Sequence, residues 1–412
     1  MKRGIQVVVA HKGAREHFLA ARALHRSGQL AALVTDWYSP LPSGVKSVAA
    51  RALPSVARAL GAVSDELPRS KIIALNGFGL ASRIKLRRAD KTGRLLEAMA
   101  EDDAAFARRV GGLRLPAHDT FLGFSYAALE ALRVEKQRGA LTLVDQIDPG
   151  RMEWDLIREE SERWPVFVEP MGDPPAGYYE RAEEEWKTAD LVLVNSQWSR
   201  DAIVKQGADP TRVEVIPLAY EVSSDGERVS RNDAPLTVLW VGSVILRKGI
   251  QYLLEAAKLL ANEPVEFVIA GPLGIRAEAF DGLPSSVRYM GPVPRSEASR
   301  LYRSADVFVL PTISDGFAIT QVEALAHGAP VITTPNCGEV VEDGRTGFIV
   351  PPRDAHALAA AIRRFISDRN LADSMRDACR AAAGRFSIEA YGQRLNEIIQ
   401  KGFDLRASGA IR

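Results

Sequence analysis

Short apolar runs without polar interruption, spaced by amphipathic stretches, constrain this chain more than any other feature of its sequence. Such runs need burial on both faces, which parallel β-strands covered by helices provide. In the first half they fall at residues 6–10, 31–35, 141–144 and 191–195, with helical periodicity at 15–27 and 126–137. In the second half they fall at 237–241, 266–270, 287–290, 307–310, 331–334 and 347–350. Helical patterns fill the gaps at 249–260, 295–304, 320–327 and 355–367. The alternation predicts an α/β chain with two doubly wound, Rossmann-like domains facing a central cleft, where ligands meet the carboxyl ends of the strands. A length of 412 residues exceeds one ordinary core and suits two.

A polar, aperiodic segment at 222–235 separates the halves and reads as a linker. The expected division is 1–221, the linker 222–235, a second domain at 236–385, and an amphipathic helix within 386–412. Charged residues at 25% and hydrophobic residues at 46% exclude a disordered chain. Lys plus Arg number 53 against 52 Asp plus Glu, so net charge makes no case for nucleic acid as a partner. The two cysteines, Cys337 and Cys379, exclude a disulfide scaffold, and no metal site is expected. The opening residues 1–10 read as a buried strand rather than a leader, because His11 and Lys12 break the apolar run at once. No stretch approaches the roughly 18–20 apolar residues of a membrane span. The expected location is the cytoplasm, with peripheral attachment at the inner membrane face left open.

That attachment has a sequence basis. Residues 41–100 carry eleven Lys/Arg and four Asp/Glu, a balance of +7, whereas 145–190 carry fourteen Asp/Glu and five Lys/Arg, a balance of −9. Within 69–94, cations such as Arg87 and Arg88 are interleaved with apolar side chains, a mixture suited to an anionic membrane surface. A solvated helix face, or a match to the acidic stretch, explains the same residues. The acidic run Glu183-Glu184-Glu185 reads as an exposed helix face.

Two motifs carry chemistry. In the first, a strand runs into Gly242-Ser243, and Arg247-Lys248-Gly249 opens the next helix. Helix-start amides and two cations suit a diphosphate, although a solvated turn would read similarly. In the second, a strand runs into Asp315-Gly316-Phe317-Ala318-Ile319-Thr320, and Glu323 follows eight residues after Asp315. The spacing sets two carboxylates along one ligand without mutual contact, and carboxylates accept hydrogen bonds from sugar hydroxyls. A turn cap and a solvated glutamate would be the plainer account.

These segments resemble the family 4 glycosyltransferases, retaining enzymes of the two-domain GT-B fold. The likeness is strongest from 186 to 367, including Gly291-Pro292-Val293 and Glu342-Asp343-Gly344. It implies a nucleoside diphosphate sugar as co-substrate and no other cofactor. By resemblance, Arg247 and Lys248 hold the donor diphosphate, Glu323 the ribose, and Asp315 the transferred sugar. Gly242, Ser243 and the amides of Gly316 to Thr320 surround the donor, with Gly291 and Val293 by the base. The family has Glu where this chain has Asp315, which shortens the reach by about 1.5 Å. The resemblance also implies a final helix crossing back onto an acceptor-binding first domain.

In that first domain the candidates for the cleft or acceptor are Gly13, His118, Gln146 and Asp148. Relatives often carry a histidine where this chain reads Gln146-Ile147-Asp148; His118 stands before a strand. His327 reads as a helix-terminating partner of the helix dipole, and Cys337 as a small filler. The expected reaction is transfer of a hexosyl group to a hydroxyl on a glycan or lipid-linked acceptor. The alternatives are an epimerase or phosphorylase of the same fold, a non-catalytic sugar-nucleotide binder, and a membrane adaptor.

Overall fold

The computed structural model describes residues 4–38, 66–168, 173–221 and 234–411. Strands β1 (Val7–Ala10), β2 (Leu30–Thr35), β3 (Ile72–Ala74), β4 (Thr120–Phe124), β5 (Leu141–Gln146), β6 (Leu191–Val194) and β7 (Val213–Val215) form one sheet. Its order is β3-β2-β1-β4-β5-β6-β7, and every pairing is parallel. Strands β8 (Leu236–Val241), β9 (Val265–Ala270), β10 (Val287–Tyr289), β11 (Val307–Leu310), β12 (Val331–Thr333) and β13 (Gly347–Ile349) form a second parallel sheet, ordered β10-β9-β8-β11-β12-β13. Both orders reverse direction beside the first strand of the sheet, at β1/β4 and β8/β11. Those reversals open the crevices in which such folds bind ligands.

The central strands are apolar because both faces are covered: Val7, Val8 and Val9 are fully buried, as are Val307 to Leu310. Helices Leu19–Arg26, Asn76–Lys91, Leu95–Gly111, Leu129–Gln137, Arg151–Arg163, Tyr178–Thr188 and Gln197–Lys205 accompany the first sheet in sequence. The last helix, Ile388–Ala407, follows the second sheet yet packs on the first. Its stripe Ile388, Tyr391, Leu395 and Ile399 is buried, Gly392 approaches Ala23, and Arg406 reaches Asp190 at 2.7 Å. Most of the 222–235 segment lies outside the described residues.

One helix of the first half has its partners in the second. Along Arg151–Arg163, Glu160 is fully buried and accepts from Gln251 Nε2 at 2.8 Å and Tyr252 hydroxyl at 2.9 Å. Arg353 pairs with its other oxygen at 2.7 Å, from a left-handed backbone (φ 66°) that a non-glycine residue adopts only under constraint. Beyond the helix, Arg276 N–H donates to Phe167 carbonyl at 2.7 Å. Gly316 closes the seam, since a Cβ there would lie 2.5 Å from the Ile147 carbonyl oxygen.

Two readings change. Glu185 is fully buried rather than exposed, and it accepts from the amides of Tyr126, Ala128 and Leu129 at 2.6–2.9 Å. It thus caps helix Leu129–Gln137 from a distant element. His327 does end helix Ile319–Ala326, but burial depresses its pKa, so it caps by hydrogen bonds to the Glu323 carbonyl and Ser299 rather than by charge.

Candidate active site

Three connections at the carboxyl ends of β8, β11 and β5 build the site. After β8 the chain turns at Gly242 (φ 144°) and reaches Arg247-Lys248 in a short 3-10 turn. Gly249 follows in a left-handed conformation; a side chain there would collide with the Pro311 carbonyl oxygen, 1.8 Å from its Cβ. The turn therefore packs directly on the loop after β11 and brings its cations to Asp315. Arg247 Nη1 lies 3.3 Å from Asp315 Oδ1, and Lys248 Nζ lies 3.5 Å from Asp315 Oδ2. Burial opposes the charge on Asp315, but the two cations outweigh it and hold its pKa below the ordinary carboxylate value. Both oxygens of Asp315 thus face cations, so its shorter side chain fixes Arg247 and Lys248 in place.

A third carboxylate arrives from the first half. Glu153, in the first turn of helix Arg151–Arg163, accepts from Ser314 Oγ at 2.9 Å and lies 3.4 Å from Arg247 Nη1. Trp198 Nε1 donates to the same Ser314 Oγ at 3.0 Å, and the Ser314 carbonyl accepts from Arg247 Nη1 at 3.0 Å. Burial lifts Glu153 to about 7 against the pull of Arg247, with Asp148 and Asp315 adding to the rise. A cavity of about 260 Å³ opens here, bounded by Glu153, Arg247, Asp315, Asp148, Asn195 and Glu16.

Glu16 also borders a larger cavity of about 660 Å³ that contains Ile319, Glu323, Arg295 and Tyr220. Glu323 accepts from Tyr302 hydroxyl at 2.9 Å; burial raises its pKa against Tyr302, Arg295 and Lys248. Lys248 therefore acts electrostatically on both Asp315 and Glu323. Arg247 and Asp315 line the smaller cavity and Glu323 the larger, with Glu16 bordering both and Lys248 acting on the two acids from behind. Gly316 and Phe317 line the smaller cavity and Ile319 the larger. Ala318 precedes helix Ile319–Ala326, whose first-turn amides at Ile319 and Thr320 have no acceptor within the helix. Gly242 lies beside Lys248, and a Cβ on it would be 3.5 Å from the Lys248 ammonium. Ser243 follows in the same turn. Gly291 (φ 74°) and Val293 form the turn before helix Arg295–Ser304, whose Arg295 is the member that reaches the cleft.

The first-half candidates fare differently. Asp148 lines the smaller cavity, and Tyr126 hydroxyl, Gln146 Nε2 and Gly150 N–H all donate to its Oδ1. Gln146 is fully buried behind it, with its Oε1 accepting from Trp186 Nε1, so it orients Asp148 and does not line the cleft. Gly13 donates its N–H to Asp36 at 2.6 Å, which takes that amide away from a ligand; Glu16 and His17 border the cleft instead. His118 stands before β4, at the amino ends of the strands and away from the cleft. There it meets Glu135 at 3.0 Å and the Pro116 carbonyl, and these partners raise its pKa despite burial. Cys337 is buried, and burial pushes its thiol up to about 12.

Sequence reasoning missed Glu153, Glu16 and Asn195, which line the smaller cavity, where the Phe124 ring is backed by the stacked ring of His11 at 3.8 Å. Seven residues separate Glu153 from Glu160, two helical turns on one face, and that repeat was the available signal.

Among the described residues no group of three or more His, Cys, Asp or Glu is placed to hold a metal, and no helix is long and apolar enough to cross a membrane. Residues 235–368 match the family described as glycosyl transferases group 1. A D-inositol 3-phosphate glycosyltransferase of Geodermatophilus obscurus is 30% identical over 248 residues, which cover 53% of this chain and 54% of that protein. The chain thus spans about half the length of the curated relatives it matches. Sucrose-phosphate synthase from Thermosynechococcus elongatus is similar in structure, with a TM-score of 0.61 at 18% identity over 97% of this chain and 99% of that one. HepE of Anabaena, solved with UDP and glucose, gives 0.58 at 16% identity over 96% and 100%. These likenesses show that the two sheets form the GT-B fold.

Proposed function

Because residues 235–368 belong to the glycosyl transferases group 1 family, we infer that this chain is a retaining glycosyltransferase that moves a hexosyl group from a nucleoside diphosphate sugar to a hydroxyl acceptor. One observation carries the reading: Arg247, Lys248 and Asp315 form a single ion-pair cluster beside one cavity, and Glu323 lines the neighbouring one, with Glu16 bordering both. A diphosphate would sit against the two cations and the first-turn amides at Ile319 and Thr320, with the ribose at Glu323.

The C1–O bond to the diphosphate breaks as the acceptor oxygen bonds to C1 on the same face, and the acceptor proton passes to the departing phosphate oxygen. Arg247 and Lys248 stabilise the charge that develops on that group, so the reading assigns no metal. Glu153 and Asp148 lie where the acceptor hydroxyl must approach. Helix Arg151–Arg163 carries Glu153 and is tied to the second sheet, which couples donor binding to acceptor geometry.

The relative from Geodermatophilus obscurus is, by name, a D-inositol 3-phosphate glycosyltransferase. For this chain the setting we propose is glycan or glycolipid assembly in the cytoplasm, at the membrane face. The stripe Leu80, Ile84, Arg87, Arg88 and Lys91 along helix Asn76–Lys91 is exposed and supports that placement.

Thermal melts with UDP-, GDP- and ADP-sugars test the donor class. One series should raise the melting temperature, and Glu323→Gln should weaken that donor about tenfold. No response to any nucleotide would refute the reading.

A further inference from the structure

A second cavity, of about 160 Å³, adjoins the reacting centre and shares Asp148 and Glu153 with it. Twelve described residues line it: ten are aromatic, aliphatic, Pro or Gly, two are those carboxylates, and none is Lys or Arg. Tyr126 and Tyr178 stack in its wall at 4.6 Å, with Tyr179 edge-on and Trp154 nearby. The wall is built with care. Tyr126 adopts a left-handed backbone (φ 68°), held by its amide on Glu185, and its hydroxyl donates to Asp148 at 2.9 Å. Two cations stand beside the lining: Arg151 lies over the Tyr179 ring at 5.1 Å and is paired with Glu180 at 2.9 Å, and Arg247 lies 3.4 Å from Glu153 on the side of the reacting centre.

Resting on the donor reading above, we propose that this cavity is the acceptor subsite and that it takes one uncharged sugar ring. A cavity of roughly 150 Å³ holds a bare six-membered ring such as benzene, and the exposed Met99 rim leaves the substituents of a sugar ring a way out. Chemistry fits as well: flat aromatic faces receive the C–H face of a pyranose, while carboxylates accept from its hydroxyls. Among the described residues, the hydrogen bonds to the Asp148 carboxylate fall on Oδ1, which leaves Oδ2 to serve a substrate hydroxyl. A phosphorylated ring would place its charge beside Asp148 and the Glu153–Arg247 pair, with no Lys or Arg among the described lining residues to receive it. The site therefore discriminates against anionic acceptors by repulsion as well as by missing partners.

Trp154 reports on the site directly. Intrinsic fluorescence is titrated with methyl gluco-, galacto- and mannopyranoside and with glucose 6-phosphate, each in the presence of saturating nucleoside diphosphate. At least one neutral glycoside should quench the signal in the millimolar range, with glucose 6-phosphate at least tenfold weaker. Trp154→Phe should abolish the quench. Tyr178→Ala, and Met99→Trp, which fills the cavity from its exposed rim, should each weaken binding tenfold or more. No response to any neutral glycoside overturns the proposal, as does tighter binding of the sugar phosphate or full binding by Met99→Trp. Nucleoside diphosphate binding to the unmodified protein is a separate measurement. Its absence defeats the donor reading, whereas its presence with an unresponsive cavity defeats this one alone.

Discussion

Replacing Glu153 by glutamine changes one proton-binding group and almost no volume, which makes the consequence calculable. In the folded protein, burial lifts this carboxyl from 4.5 to about 7. A rise of that size corresponds to roughly 3 kcal/mol between the two protonation states. The folded state then binds the proton more tightly than the unfolded chain. The resulting stability is fully present below about pH 4.5 and is lost as pH climbs through 7. Glutamine resembles the protonated carboxyl and has nothing to lose. The two proteins should therefore be nearly equal below about pH 4 and about 1 kcal/mol apart at pH 5. By pH 8 Glu153→Gln should be the more stable by up to about 3 kcal/mol, or about 6–12 °C in melting temperature for a domain of this size.

Other acids titrate in the same range, Glu185 above all, whose burial also raises it to about 7. They do so in both proteins and cancel in the difference, so thermal melts of the pair from pH 5 to 8.5 isolate Glu153. Parallel profiles would refute the reasoning, because they would mean that Arg247 at 3.4 Å fully offsets the burial. If the glutamine variant proves both more stable and slower, the carboxylate is kept at a cost in stability for the reaction it serves.

Arg247→Ala should lower turnover by about 10²–10³-fold, the range for one lost transition-state donor. It also strands two buried carboxylates, so the melting temperature should fall, and Arg247→Lys should restore stability more than activity; a stable Arg247→Ala protein would show that the cluster is not what orders the loop. Glu160→Ala removes the shared partner of Gln251, Tyr252 and Arg353. It should cost about 3–5 kcal/mol and raise hydrogen exchange along helix Arg151–Arg163, whereas unchanged exchange would mean the helix is held from the first sheet. Arg87→Glu with Arg88→Glu should weaken binding to anionic vesicles by about 1 kcal/mol per residue at low salt; equal binding would return helix Asn76–Lys91 to an ordinary solvated face.

The strands were legible because burial on both faces leaves a physical mark within each segment. Leu191–Val194 and Val307–Leu310 fall where the apolar runs stand. Edge strand Ile72–Ala74 was not, since three half-buried residues write no such mark. Arg247, Lys248, Asp315 and Glu323 were legible because they lie in the connections that leave the carboxyl ends of β8 and β11, or on the helix that follows, and those ends define the cleft. The same rule, applied strictly, would have excluded His118, which precedes its strand. Glu153, Glu160 and Glu185 were hidden for a different reason. Each is buried by partners at least 56 positions away, so locally it is one more acid in a run with a charge of −9. Solvated acids tolerate any spacing, but buried acids must face fixed partners. Two acids seven apart beside a glycine turn therefore mark a helix face committed to another body, and here that face connects the donor cations with the acceptor cavity.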